Sequence, residues 1–147
     1  MILISHRGNI YKKIQKLENN PDYIDSALNQ GFDVEIDIRF LDNKYWLGHD
    51  FCQFEISLNW IKNRKKKLWI HCKNHAVIEK IKDMNFNFFW HDDDDLTITS
   101  KGYFWSHPKI KPIKNSIAVL PENHSYDLND CLGICSDNIL KYQNEFK

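Results

Sequence analysis

The sequence predicts an α/β fold, a TIM-type parallel βα-barrel of reduced size with short or missing outer helices. Three observations predict it. Short apolar runs recur along the chain with helical or turn-rich segments between them, as alternating βα units require. Most of these runs finish in polar residues, the ends at which βα-barrels carry their sites. The chain has only 147 residues, whereas an ordinary eight-fold barrel takes about 250, so some outer helices must be short or absent. An open α/β sheet is the alternative that the same pattern allows. With 42% hydrophobic and 14% aromatic residues, the chain can fill one core, and a single domain over 1–147 is expected.

Met1 to Ser5 is an apolar run ending in His6-Arg7-Gly8-Asn9, the pattern of a buried strand. Pro21 to Gln30 reads as a helix, with Pro early, Ile24, Ala27 and Leu28 on one face, and Gly31 as a stop. In the next run Phe32, Val34, Ile36 and Ile38 alternate with Asp33, Glu35, Asp37 and Arg39. That period of two gives a strand with one apolar and one polar face, and Glu35 and Asp37 point the same way. Asp42-Asn43 supplies a tight turn, and Tyr45-Trp46-Leu47 returns the chain to Gly48-His49-Asp50. A helix is expected around Ile56 to Asn63, then a basic turn Arg64 to Lys67, then a strand Leu68 to Ile70 ending in His71-Cys72-Lys73. Val77, Ile78, Ile81 and Met84 space another helix, and Phe86 to Trp90 is a further buried run. Asp92 to Asp95 lacks the Gly and terminal Glu of an EF-hand and reads as a solvated loop. Leu96 to Ser100 and Tyr103 to Trp105 flank a Lys-Gly turn as a hairpin or two short staves. Ile117 to Leu120 and Cys131 to Cys135 complete the strands, ending at Pro121-Glu122 and Ser136-Asp137.

Composition narrows the partners. Twenty Lys and Arg against 20 Asp and Glu leave no net charge, so no global field draws the chain to nucleic acid or to an anionic membrane. The apolar runs are too short to span a bilayer and no signal pattern opens the chain, which makes the cytoplasm the expected location. Cys52, Cys72, Cys131 and Cys135 have no paired spacing, so free thiols are expected. A homodimer that covers strands lacking helices is one arrangement the pattern allows.

The chemistry concentrates in the alternating strand. Two carboxylates on one face, Glu35 and Asp37, with the returning His49 near them, form a hard-cation site beside an acid or base. His91, His107 and His124 carry no motif and read as structural or pocket-lining, and Cys72 as an inert buried thiol.

Ser5-His6-Arg7-Gly8, Glu18-Asn19, Gly31 to Asp37 and Gly48-His49-Asp50, with Gly133-Ile134-Cys135-Ser136-Asp137 near the other end, resemble in order and approximate spacing the glycerophosphodiester phosphodiesterase family and the wider phospholipase-C-like phosphodiesterase barrels. The resemblance implies that His6 and His49 act as general acid and base, a task suited to imidazole. It implies that Arg7 grips phosphate, with Lys73 adding positive charge. Glu35 and Asp37 would hold a divalent cation, magnesium or calcium by the family's habit. The implied substrate is a small-molecule or lipid phosphodiester, attacked by one of its own hydroxyls with expulsion of an alcohol.

Two departures from the family's pattern stand out. Where the family has Glu-x-Lys, this chain has His71-Cys72-Lys73. Either His71 is the third ligand, which favours manganese or zinc, or Glu122 supplies an oxygen, or the metal site is incomplete. The family's inserted subdomain after the His-Asp pair is reduced here to a short link from Asp50 to Leu68. The expected function is therefore a metal-dependent phosphodiester hydrolase. Its alternatives are an impaired phosphate- or metal-binding module and an unrelated zinc hydrolase.

Overall fold

The computed structural model describes residues 1–146. Its elements are β1 (Ile2–His6), α1 (Pro21–Asn29), β2 (Asp33–Leu41), β3 (Lys44–Leu47), β4 (Phe54–Ile56), α2 (Leu58–Arg64), β5 (Leu68–Cys72), α3 (His75–Ile81), β6 (Phe88–Phe89), β7 (Leu96–Ile98), β8 (Phe104–Ser106), β9 (Ser116–Val119), β10 (Gly133–Ser136) and α4 (Ile139–Glu145). All ten strands belong to one sheet. Strands β6, β5, β2, β1, β10, β9 and β8 run parallel in that order, while β3, β4 and β7 are antiparallel additions.

Strand β2 organises the sheet. Its first half pairs with β1 on one edge and β5 on the other, with His6 opposite Glu35 and His71 opposite Asp37. Because β1 stops at His6, the edge of β2 beyond it is open to the returning strand β3, which pairs from Ile38 to Leu41. The turn between them is Asp42-Asn43, both with positive φ (52° and 60°), the conformation of a two-residue hairpin turn that Asp and Asn tolerate.

The sheet curls strongly. Trp69 on β5 lies 5.7 Å, ring to ring, from Trp105 on β8, although four other strands separate β5 and β8 in the pairing order. Phe89 stands 4.6 Å from the same Trp105, and the backbone N–H of Ser100 donates to Phe88 across the remaining gap (2.7 Å). Ile4, Trp69, Phe89, Trp105, Ile117, Val119 and Cys135 form the core inside the curl. The larger core, including Ile24, Val34, Ile36, Ile38, Ile70, Val77, Ile81, Ile134 and Ile139, lies between the sheet and its helices. Each such aliphatic side chain contributes roughly 1.5–3 kcal/mol on burial. The polar face of β2 is therefore no solvent face: Val34, Ile36 and Ile38 belong to the outer core, while Glu35 and Asp37 are buried on the opposite face.

Some expected boundaries move. Ile56 ends a strand, and the helix begins only at Leu58, where the Ser57 hydroxyl caps the N–H of Trp60. The Phe86–Trp90 run forms just a two-residue strand, because Trp90 turns outward and is 41% exposed. Arg64 closes α2 instead of opening a turn, gripping Asp25 through two bonds (2.6 and 2.8 Å) and covering the Trp60 ring. Helix α4 follows the last strand, a seven-residue segment whose N-cap makes no side-chain bond. The four cysteines are unpaired, and burial pushes the Cys72 thiol up to about 12. Among the described residues no helix is long and apolar enough to cross a membrane.

Candidate active site

The turn after β1 puts Arg7 and Gly8 at positive φ (55° and 93°). A side chain at Gly8 would meet the Tyr23 ring at 2.7 Å, so the sharp turn needs glycine here. It sends the Arg7 guanidinium back over β2, with Nε 2.9 Å from Asp37 Oδ2 and Nη1 donating to Glu18 Oε2 at 3.2 Å. Asn19 closes the opposite side. Its Nδ2 donates to Asp37 Oδ2 and its Oδ1 accepts from the Asp37 N–H, both at 2.9 Å.

All four of His6, Glu35, Asp37 and His71 are buried: His6 ends β1, His71 stands near the end of β5, and Glu35 and Asp37 lie within β2 between them. One ligand atom each from Glu35, Asp37 and His71 falls within 4.8 Å of the others. His71 Nδ1 is 3.1 Å from Asp37 Oδ1 and 3.9 Å from Glu35 Oε1. Glu35 Oε2 and Asp37 Oδ1 are buried without a well-formed hydrogen bond, Asp37 Oδ1 having only the His71 ring beside it at 3.1 Å, a costly state for carboxylate oxygens unless a cation completes them. Burial and the Asp37 charge push Glu35 up to about 7. Burial also opposes the charge on Asp37, but the His71 ring, Arg7 and Asn19 together hold it well below the ordinary carboxylate range. Burial lowers the His71 pKa, which favours the neutral ring, and Nδ1 is the ring nitrogen that faces both carboxylates. The residues present thus fit a divalent ion through two oxygens and one imidazole nitrogen. Glu122 stands elsewhere. Its Oε1 accepts the backbone N–H of Asp137 (2.9 Å), and it is absent from the converging group.

His6 Nδ1 lies 2.7 Å from Asp137 Oδ1, and that oxygen also accepts from Asn9 Nδ2 at 2.8 Å. With its Nδ1 proton held by the carboxylate, the ring presents Nε2, which is 3.8 Å from Glu35 Oε2. Burial works against charging His6, but the Asp137 bond and the Glu35 charge outweigh it, and the pKa is raised. His49 arrives from the β3 return. A side chain at Gly48 would sit 1.9 Å from the Phe51 carbonyl, so only glycine permits this bend. Arg39 clamps the bend by donating to the Gly48 and His49 carbonyls. His49 Nδ1 lies 2.7 Å from Asp50 Oδ1, and burial and the Arg7 charge lower the pKa of the ring.

His6, Arg7, Glu35, His49 and His71 line one cavity of about 330 Å³. Its other wall is Phe89, Trp105, Val119 and Leu120, with His91 and His107. The His91 ring stacks on His71 at 4.3 Å and meets His107 edge-on at 5.3 Å. Lys73 is half-buried at the end of β5 and is not part of this wall, although its charge is felt by Glu35, His49 and His71. Sequence spacing passes over Asn9 and the His6–Asp137 contact. The signals for Asp137 are its place at the end of a buried strand and its part in the Gly133–Asp137 run; neither names His6 as its partner. Comparison of the chain with protein-family models, with curated proteins and with solved structures finds no match.

Proposed function

We propose that the curled sheet is a reduced TIM-type βα-barrel and that the chain is a metal-dependent phosphodiester hydrolase, acting on a small-molecule or lipid phosphodiester. One observation carries the reading: Glu35 Oε2 and Asp37 Oδ1, buried without well-formed hydrogen bonds, converge with His71 Nδ1 beside a cavity lined by His6, Arg7 and His49. Glu35, Asp37 and His71 hold the divalent cation, which supplies neutralisation of phosphate charge when bound.

The two histidines divide the proton work. Opposite environments set their pKa values apart, the usual sign of an acid and base pair. His49, the more weakly basic ring, is neutral at pH 7, and its Nε2 takes the proton of the attacking hydroxyl. His6, braced by Asp137, keeps its proton to higher pH and gives it from Nε2 to the departing alkoxide. The bond from the attacking oxygen to phosphorus forms as the bond to the leaving oxygen breaks, and one proton moves at each end. Arg7 contacts the phosphate through whatever part of its guanidinium Asp37 and Glu18 leave accessible.

That engagement of Arg7 Nε and Nη1 by carboxylates favours a second reading, a binding module that holds metal and phosphate without turnover. Manganese-stimulated hydrolysis of bis(p-nitrophenyl) phosphate separates the two. The hydrolase predicts turnover that falls at least about a hundredfold in His6→Ala and His49→Ala variants with unchanged circular dichroism. Manganese binding without turnover in the parent chain supports the module.

A further inference from the structure

Beside the catalytic cavity lies a second chamber of about 590 Å³, whose wall includes Arg7, Lys13, Lys16, Glu18, His49 and Asp50. The two share Arg7, Lys13 and His49, so they meet where the proposed reaction places the phosphate. Their characters differ. The catalytic cavity has an apolar far wall, whereas the chamber has two lysines, three amides and two carboxylates.

The acidic groups of the chamber are already engaged. Glu18 receives Arg7 Nη1 on one oxygen and Asn9 Nδ2 on the other, and Asp50 is paired with His49. Lys13 and Lys16 form no ion pair or hydrogen bond among the described residues. Their loop is held in place. Asn9 Oδ1 accepts the Ile14 N–H and the Tyr23 hydroxyl, and turns close from Leu17 to Ile14 and from Glu18 to Gln15. Two exposed ammonium groups with no contact ion pair stand on a braced loop beside the reacting centre; Lys13 also acts on Asp137 through space, and together they leave positive charge available to a ligand.

We propose that this chamber is a second anion subsite, so that the substrate is a phosphodiester whose alcohol on the His49 side carries a further phosphate or comparable anionic group, held by Lys13 and Lys16. The proposal rests on the phosphodiesterase reading. Calorimetric titration of the manganese-loaded chain with glucose 1-phosphate and glucose 1,6-bisphosphate tests it at fixed ionic strength. The bisphosphate is expected to bind at least about fivefold more tightly, the effect of two exposed ion pairs. In the Lys16→Gln variant, whose side chain lines the chamber but not the catalytic cavity, that preference falls to about twofold, while glucose 1-phosphate affinity and bis(p-nitrophenyl) phosphate turnover stay within about twofold of the parent's. Equal affinities in the parent chain, or an equal loss for both sugars in the variant, overturn the subsite while turnover persists. If the parent neither turns over the diester nor binds glucose 1-phosphate, the phosphodiesterase reading falls, and the subsite with it.

Discussion

Glu35→Gln should make the metal-free protein more stable, because the carboxylate is held where the proposed metal site needs it and not where folding favours it. Glu35 is 2% exposed, and burial followed by the Asp37 charge moves its pKa from 4.5 to about 7. At roughly 1.4 kcal/mol per pH unit, ionised Glu35 costs the folded state about 3 kcal/mol. The sign follows from the direction of the shift. Below the unfolded pKa both states carry the protonated acid, so parent and variant match near pH 4. As pH rises through 4.5 towards 7 the unfolded chain loses the proton first, and the parent loses stability relative to the glutamine variant. The gap is complete by about pH 8. For a chain of this size 3 kcal/mol is roughly 6–12 °C in Tm. Thermal melts in chelator between pH 4 and 8.5 measure it, and manganese should then raise the parent's Tm and leave the variant's almost unmoved. A variant no more stable than the parent at pH 8 in chelator, or a gap that does not vary with pH, would refute the reasoning.

Asp137→Asn removes the bond that most raises the His6 pKa. Activity that depends on protonated His6 should then fail at lower pH than in the parent, with kcat down about a hundredfold or more, as pH–rate profiles of both proteins would show. His71→Glu replaces the imidazole facing Asp37 at 3.1 Å with an oxygen donor. The order of metal activation is expected to shift from manganese or zinc towards magnesium or calcium, and an unchanged order would remove His71 from the ligand set.

The parts of this site set by local rules were legible in the chain. Alternation along Asp33–Arg39 puts Glu35 and Asp37 on one face, and Asp42-Asn43 brings the chain back as a hairpin. Local rules did not show which face was inside. A strand that alternates usually leaves its polar face to solvent, whereas here the curl encloses that face and the helices cover the other. Contacts between the ends of the chain were invisible for a simpler reason: His6 and Asp137 are 131 residues apart, and no spacing rule spans that distance. His91 and His107 sit at recognisable strand ends, but their stacking towards His71 depends on how far the sheet curls. Helix α4 escaped notice because seven residues, many of them polar, give too little periodicity to detect.

The placement of the helices explains how so short a chain can support such a site. The main helix–strand contacts are α1 with β2, α3 with β2 and β5, and α4 with β1 and β10. These strands carry His6, Glu35, Asp37, His71 and, one residue past β10, Asp137. Donor atoms that must converge within a few tenths of an ångström need backbones packed from behind, and each of these strands has a helix there. Strands β6 to β9 contribute the aromatic and imidazole wall, whose task is to exclude water and shape the cavity. Such a wall tolerates small displacements that a ligand set does not. The packed α-helices thus stand behind the strands on which the proposed site makes its stronger geometric demand.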